Sequence, residues 1–563
     1  SKTFNTREFK IEQLADFIRM PESQVEVQVI RLAIQGFVHY DIAQRKAFIT
    51  DKVSHYIKAK SKLVDYDVIE FQSEVDSRIN AEIKLENFDL SIKGVPHISL
   101  SNAKKVAINP TEQEITLRKN RDFIFSGQIK AGLFDFQATE CHFNYDTFRL
   151  NMPTIDTMRF KVNSFETDDY GKRKLVEIKT PITNISGQML IDHPANKSGL
   201  VLQPRYPIFT SNKESFVYFD QKPEFKEAYN RDLVNYYIEP FTFENLEEFE
   251  TESIRFRGFF NSGGIFPDNI DQPLEIMPDY SLGFKKQTPL EGYPVYQGKG
   301  KFFNEITVNL SGLKGDGKLE YLNSTSVSKD FIFYLDSVSS SNTEFNITPL
   351  TKGKTEFPPV KGLNLNQLWR PYSDSMVLQT TDLPISMFDE RASLKGSMIL
   401  TSDALTGAGE LDFLNATALS DKFAFTANAF YSDTTKLKLR SLPQSDVVFN
   451  TENYSAFVDF NTKIGNFKTN SINSKIYLPA IRYESFLNEF DWYFDSNEVE
   501  LYSYAKVDES GYDTLTKAEL IGKPLSGAKF VSTHSKQNSL EFYSSRANYD
   551  LTNNILKATD VKL

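Results

Sequence analysis

The chain predicts a mostly β protein of elongated, stacked or sandwiched antiparallel layers, with a small helical module at its start. Three observations predict it. First, residues 315–333 (GDGKLEYLNSTSVSKDFIF) align without a gap on residues 407–425 (GAGELDFLNATALSDKFAF), 92 positions further on, and a copy at fixed spacing marks tandem architecture. Second, apolar side chains recur at two-residue spacing in both copies, at Leu319/Leu411, Tyr321/Phe413, Phe331/Phe423 and Phe333/Phe425. Period two is the signature of a strand with one buried face, so the unit reads strand, turn, strand. Third, 47 Phe and 26 Tyr stand against 2 Trp, the aromatic excess with which pleated sheets fill their surfaces.

At 563 residues the chain is long enough to bury several cores. Its 64 Lys and Arg against 75 Asp and Glu, a net charge of −11, exclude a whole-molecule attraction to nucleic acid or anionic lipid and leave only local basic patches. No apolar run reaches the length of a membrane helix. No charged-then-apolar leader opens the chain, and Ser1 stands where a Met would, so a mature or excised fragment is expected. The single cysteine, Cys141, excludes a disulfide framework; between the strand-like segments 133–138 and 142–150 it reads as a buried, inert thiol. Scarcity of cysteine fits a reducing cytosol and an exported protein alike.

Residues 1–62 form the first domain. Ile11, Leu14, Ala15 and Ile18 recur at helical spacing; Pro21 opens a second helix through Gln35 that carries Val25, Val29 and Leu32; Gly36 ends it. Phe37–Tyr40 and Ala47–Ile49 follow as a hairpin, and Lys52–Lys62 as a leading-out helix. This segment resembles the winged-helix fold family. The resemblance implies DNA reading through the second helix, but Glu22 and Glu26 stand where phosphates would lie and only Arg31 offers a base. No nucleic-acid partner is expected; protein docking is.

Residues 63–165 read as a first β region, with strands at 68–75, 81–93, 98–100, 105–109 and 114–118, then FIFSGQIKAG at 123–132. FRGFFNSGGIF at 256–266 shares the Phe-x-Gly spacing, and glycine there reads as the place where a sheet bends or admits a second backbone. Residues 166–255 read as an irregular insert: a hairpin tip at 166–174, a loop marked by Asp192, His193, Pro194 and Asn196, and short helices around 224–231 and 246–249. Residues 256–440 form a second β region with the duplication. Residues 441–563 form a third, which ends in mid-pattern as though truncated.

Signals of chemistry are sparse. Six histidines, at 39, 55, 97, 142, 193 and 534, lie at no metal-ligand spacing, and no nucleophile motif appears. The glycines of GDGKLE fit turn positions better than a phosphate cradle. Glu244, Glu247, Glu248, Glu250 and Glu252, with Asp168 and Asp169, could supply a glycosidase pair in a β solenoid, but solvated acidic faces explain them as well. No catalytic, cofactor or metal residues are assigned. The strand around Trp492 reads as core. Trp369, read in a loop after FPPV, forms with Arg370 and Tyr372 the candidate contact surface, for a protein or a glycan.

The winged-helix segment with MPES and GFVHYD, followed by SLGF at 281–284, GKGKF at 298–302 and GLKGDGKLEYL at 312–322, resembles a group of very large, uncharacterised cell-envelope proteins of Bacteroidota. The closing strands, ANYD at 547–550 and ILKATDVKL, are similar to the β-jellyroll layers of lipopolysaccharide-transport bridge proteins. The first resemblance implies a periplasmic or outer-membrane-associated, non-enzymatic scaffold that binds protein partners. The second implies an alternative, a lipid-carrying bridge with an apolar groove along its sheets. An integral outer-membrane barrel is disfavoured by irregular strand lengths, acids on both faces and a mean hydropathy of −0.39.

Overall fold

The computed structural model describes residues 6–563 except 62, 64, 66–68, 75–78, 227, 249, 250, 252, 253, 350–354, 442–445, 472, 473, 521 and 522. The described chain is mostly strand, paired antiparallel. It divides into two compact units: Ser1–Lys222 with Val234–Asn261 and Asn269–Phe284, and Pro223–Leu233 with Ser262–Asp268 and Lys285–Leu563. These boundaries differ from those the sequence implied. The junction at 165/166 falls inside a strand, Arg149–Thr167, and the junction at 440/441 lies within the second unit.

The first unit opens with a small module: β1 (Glu8–Lys10), α1 (Ile11–Ile18), α2 (Glu22–Ile34), β2 (Val38–Asp41), β3 (Lys46–Ile49) and α3 (Asp51–Lys60). Its three strands pair in the order β1-β3-β2. Pro21 stands at the N-cap of α2, where its ring fixes φ and its carbonyl accepts from the Gln24 and Val25 N–H groups. Lys62, read as the end of α3, lies outside the described residues. Ile11 and Ala15 of α1 meet Val25 and Val29 of α2 over Ala47, the helical spacing predicted. Glu22 and Glu26, the acids on the second helix, are tied inward: Arg45 donates to Glu22 at 2.9 Å and to Glu26 at 3.2 Å, and the Tyr40 hydroxyl donates to Glu26. That last bond holds the Glu26 carboxyl below its usual range.

Four neighbouring strands make the heart of the first unit's sheet: Phe123–Ala131, Phe134–Asn144, Arg149–Thr167 and Ile182–Leu190. Their inward rings meet at Phe134–Phe160 (5.2 Å), Phe123–Phe143 (4.9 Å) and, with Phe209, at Phe136 (4.9 Å). Cys141 lies within the second of these strands, not between two, and is fully buried where the register with Phe123–Ala131 shifts. Burial pushes its thiol up to about 12. Segment 81–93 is two strands, Ala81–Ile83 and Leu90–Ile92, because the chain turns through Phe88 at φ 63°. Of the strand expected at 68–75, Phe71 bridges to Ile98, while residues 68 and 75 lie outside the described residues.

The segment read as an irregular insert is largely sheet. Ile182–Leu190, Ile208–Ser211, Ser215–Tyr218 and Val234–Ile238 all pair within the first unit. Its hairpin tip, with Tyr170 almost wholly exposed, and the loop marked by Asp192, His193, Pro194 and Asn196 are as expected. The helices expected there shrink to a single 3-10 turn at Pro223–Phe225 and a turn at Leu246; residues 227 and 249 lie outside the described residues.

In the second unit the duplication proves longer than its sequence trace. The 92-residue offset carries Gly300–Asn309, Gly312–Tyr321, Ser324–Phe333 and Val338–Ile347 onto Ala392–Leu400, Leu405–Phe413, Ala416–Phe425 and Ala429–Arg440. Each set is a four-stranded antiparallel meander. Both central hairpins turn through a leucine of positive φ, Leu322 (53°) and Leu414 (52°). The glycines of GDGK and GAGE are not turn residues. They lie in mid-strand, where the register shifts between Gly315 and Gly317 and again between Gly407 and Gly409. A Cβ on Gly317 would lie 2.0 Å from the Phe303 carbonyl oxygen, and one on Gly409, at φ 126°, 2.3 Å from that of Lys395. A β-bulge that brings two backbones this close admits only glycine. Gly127 and Gly258, in the two Phe-x-Gly segments, make the same approach to Asn109 and Tyr237, as their spacing predicted.

Beyond the second copy the sheet forks. Ala429–Arg440 pairs with Tyr454–Asp459 along its first half and with Val447–Thr451 near its end. One ribbon continues through Lys475–Leu478, Tyr483–Phe486 and Ala528–Ser532, the other through Ile464–Thr469, Glu489–Tyr493, Glu498–Tyr502 and Arg546–Asp550. The ribbons face each other: Phe449 of one meets Phe490 of the other at 5.0 Å, and Trp492 is completely buried, as its alternation predicted.

Candidate functional site

Trp369 is not a surface residue. It lies next to last in the strand Val360–Arg370, pairs with Val338 and Met376, and has no exposed surface. The proline-rich stretch that suggested a loop stops before the strand begins. The indole packs edge-on against Tyr296 at 5.5 Å and beside Tyr321 at 5.1 Å. Tyr296 donates to the carbonyls of Tyr334 and Ser337, and Tyr321 to Asp374 at 2.6 Å. Burial, with Asp374 as acceptor, drives the Tyr321 phenol well above its ordinary range. Gly300 is small because of this ring, since a Cβ there would lie 2.6 Å from it. Of the expected contact surface, Arg370 and Tyr372 remain outside, Tyr372 with its ring edge-on to Tyr296 at 5.9 Å. A sugar-stacking role for Trp369 is thereby excluded.

A better candidate for contact lies in the first unit, in the loop that Asp192, His193, Pro194 and Asn196 marked. Leu200 is 87% exposed, Val201 59% and Leu202 85%. Three apolar side chains in water are unfavourable, and this backbone is anchored so that they stay there. Asn196, itself held by the buried Asp192 carboxylate at 2.9 Å, both donates to and accepts from the Val201 backbone, at 2.7 and 2.9 Å. Lys104 Nζ donates to the Gln203 carbonyl at 2.6 Å, and Ser198 donates through its backbone and its hydroxyl to Asp65. Burial pushes the Asp192 carboxyl up and the Lys197 ammonium down. The sequence signal was GLVLQP, an apolar run enclosed by Gly199 and Pro204, which the strand reading passed over.

A third feature is an apolar groove of about 460 Å³, open to solvent, on the N-terminal module. On α3, Val53, Tyr56, Ile57 and Lys60 line it at positions i, i+3, i+4 and i+7, and α3 has no buried residue. Phe17 and Leu32 face this stripe from α1 and α2, and Val29 and Ala47 form the floor.

Among the described residues no group of three His, Cys, Asp or Glu side chains could hold a metal ion, and no helix is long and apolar enough to cross a membrane. In the acidic cluster, Glu244 is bound by Arg205 and Glu247 by Lys105, while Glu250 and Glu252 lie outside the described residues. No protein-family model matches the chain, and no curated protein matches it.

Proposed function

We propose that this chain is a non-enzymatic scaffold of the bacterial cell envelope, periplasmic or outer-membrane-associated, that binds protein partners through side chains displayed on filled β layers. The observation that carries this reading is the loop at Leu200–Leu202, where buried polar anchors hold apolar side chains out in water. Such an arrangement costs stability in the isolated protein and is recovered only when a partner covers it. The inward faces of the second unit support a scaffold over a lipid-carrying bridge: Phe302, Leu319, Phe331, Leu394, Leu411 and Trp492 are fully buried, which leaves no room for acyl chains between them.

The test is a photo-crosslinking amino acid placed at Leu202 and, as a control at least as exposed, at Tyr170, in cells that make the protein, followed by fractionation. Discrete protein adducts from position 202 alone, in the envelope fraction, are expected. Adducts equal at both positions, or none at 202, would overturn the docking role, and recovery in the cytosolic fraction would overturn the compartment.

A further inference from the structure

The N-terminal module meets the β region of its own unit through a histidine. His55, half-buried on α3, has its Nε2 3.1 Å from the Nη2 of Arg121, at the end of the 3-10 turn Lys119–Arg121 that leads into the strand Phe123–Ala131. A guanidinium nitrogen only donates, so the chemistry of its partner assigns His55 Nε2 as the acceptor and leaves the ring neutral, its proton on Nδ1. Protonation would remove that acceptor and set an imidazolium against a guanidinium.

Arg121 is fixed from its other side. Its guanidinium lies over the Tyr145 ring at 4.4 Å and donates to Asp146 at 3.3 Å. Lys197 Nζ stands over the same ring at 5.3 Å, its side chain buried, and donates to the Pro194 carbonyl at 2.7 Å. His55 therefore faces Arg121 and Lys197 from the β region and Lys58 from its own helix, against the carboxylate of Asp146, whose side chain is 60% exposed. An exposed carboxylate is screened by water, and this one is already bonded to Arg121, so the cations prevail. Burial, then the Arg121 charge, hold the ring below the ordinary histidine range.

We propose that His55 is a pH-sensitive latch between the N-terminal module and the β region, closed while the ring is neutral and released when Nε2 takes a proton from solvent. The ring of a released α3 takes that proton near the ordinary value of about 6.5, and the latched ring only at lower pH. Latching is therefore complete above about pH 6.5 and weakens as pH falls below it. Ser198, which donates to Asp65 through its hydroxyl at 2.7 Å, is a second tie between the chain that leaves the module and the loop that carries Lys197. The latch does not rest on the scaffold reading.

The test is the distance between spin labels on Ser23→Cys and Asp156→Cys, both exposed positions, in the whole chain at about pH 7.5 and about pH 5.5, either side of the histidine range. Cys141 is buried and should stay unlabelled. One narrow distance is expected at the higher pH. At the lower pH a second, broader component should grow, with the ratio of released to latched module up by about fivefold, the loss of one partly exposed polar tie. His55→Gln, whose amide oxygen can accept from Arg121 and does not titrate, should abolish the response, and His55→Arg should show the released component at both pH values. A wild-type distribution that does not change with pH, a change that survives intact in His55→Gln, or a His55→Arg distribution identical to wild type at the higher pH would overturn the latch.

Discussion

The two copies of the duplicated meander share a backbone and differ in what they bury. The bulge glycines, the positive-φ leucine turn and the apolar inward positions recur at the same offset: Phe302, Ile306 and Val308 in the first copy become Leu394, Met398 and Leu400 in the second, all fully buried. The polar interior recurs only in part: Ser328, Ser340 and Thr343 have buried counterparts in Ser420, Ser432 and Thr435, but their bonding differs and two serines are lost. Ser324 and Ser326 face inward in the first copy where Ala416 and Ala418 stand in the second. Ser340 bonds Thr343 at 2.6 Å, whereas its counterpart Ser432 bonds Ser420 at 2.7 Å and leaves the buried Thr435 hydroxyl without a partner among the described residues. Positions fixed by backbone geometry thus tolerate one residue type, while positions fixed by volume accept any side chain that fills the space.

The largest effect expected concerns a residue with no equivalent in the second copy. Trp369→Ala should cost about 3–5 kcal/mol, as truncation of a buried aromatic does, and should free Tyr296 and Tyr321 to move. Tyr372→Ala, half exposed, should cost about 1 kcal/mol or less. The molecule carries its own probes for this. Both tryptophans lie in the second unit and the only cysteine in the first, so indole emission and thiol alkylation during urea unfolding report the units separately. Loss of less than about 1 kcal/mol in Trp369→Ala would contradict its place in the core.

Next come the bulges. Gly317→Ala and Gly409→Ala should each cost about 1–3 kcal/mol, the penalty of forcing a side chain onto backbone of this kind, read as earlier loss of indole emission. Equal losses would show that the two bulges are one device used twice. A neutral Gly409→Ala would mean that its strand can shift away from Lys395.

These positions also show what was legible in the sequence. Alternation at Leu319, Tyr321, Phe331 and Phe333 gave strand and inward face together, because side-chain direction in a strand depends only on parity. The bulge glycines were misread as turn residues, since glycine marks both a positive-φ turn and a close backbone approach, and neighbouring strands decide which. Trp369 was misplaced for a related reason: the prolines before it were visible, but the strand that buries it is defined by partners 31 positions earlier, at Val338, and at Met376 beyond the turn. The groove and the anchored loop were missed because each depends on where distant elements leave space, and composition does not record this.

Cys141 tests whether the first unit opens on its own. With its thiol pushed up to about 12 by burial, the native protein holds no thiolate near pH 8 and should resist alkylation until the sheet around Phe134–Asn144 opens. The sign of the pH dependence follows. Above the ordinary thiol value of 9.0 the unfolded chain releases this proton and the native chain does not, so the first unit should lose stability as pH rises from about 9 toward 12. Cys141→Ala should flatten that decline. Labelling at pH 8 at the rate of a free thiol would show that this strand is not closed in solution.

The smallest effects expected are the sharpest test of the comparison, because they exchange one copy's interior for the other's. Ser326 is buried and its hydroxyl has no partner among the described residues, whereas Ser324 donates to the Tyr321 carbonyl at 2.7 Å. The second copy carries alanine at both positions. Ser326→Ala should therefore be neutral or stabilising, by up to about 1 kcal/mol, since it removes an unpaired polar atom from the interior, while Ser324→Ala should cost about 1 kcal/mol, the net worth of one hydrogen bond. Thr435→Val makes the same test in the second copy, where the orphaned hydroxyl lies. If Ser326→Ala instead destabilises by as much as Ser324→Ala, the hydroxyl has a partner, a buried water being the natural one, and the two interiors differ in hydration as well as in side chains.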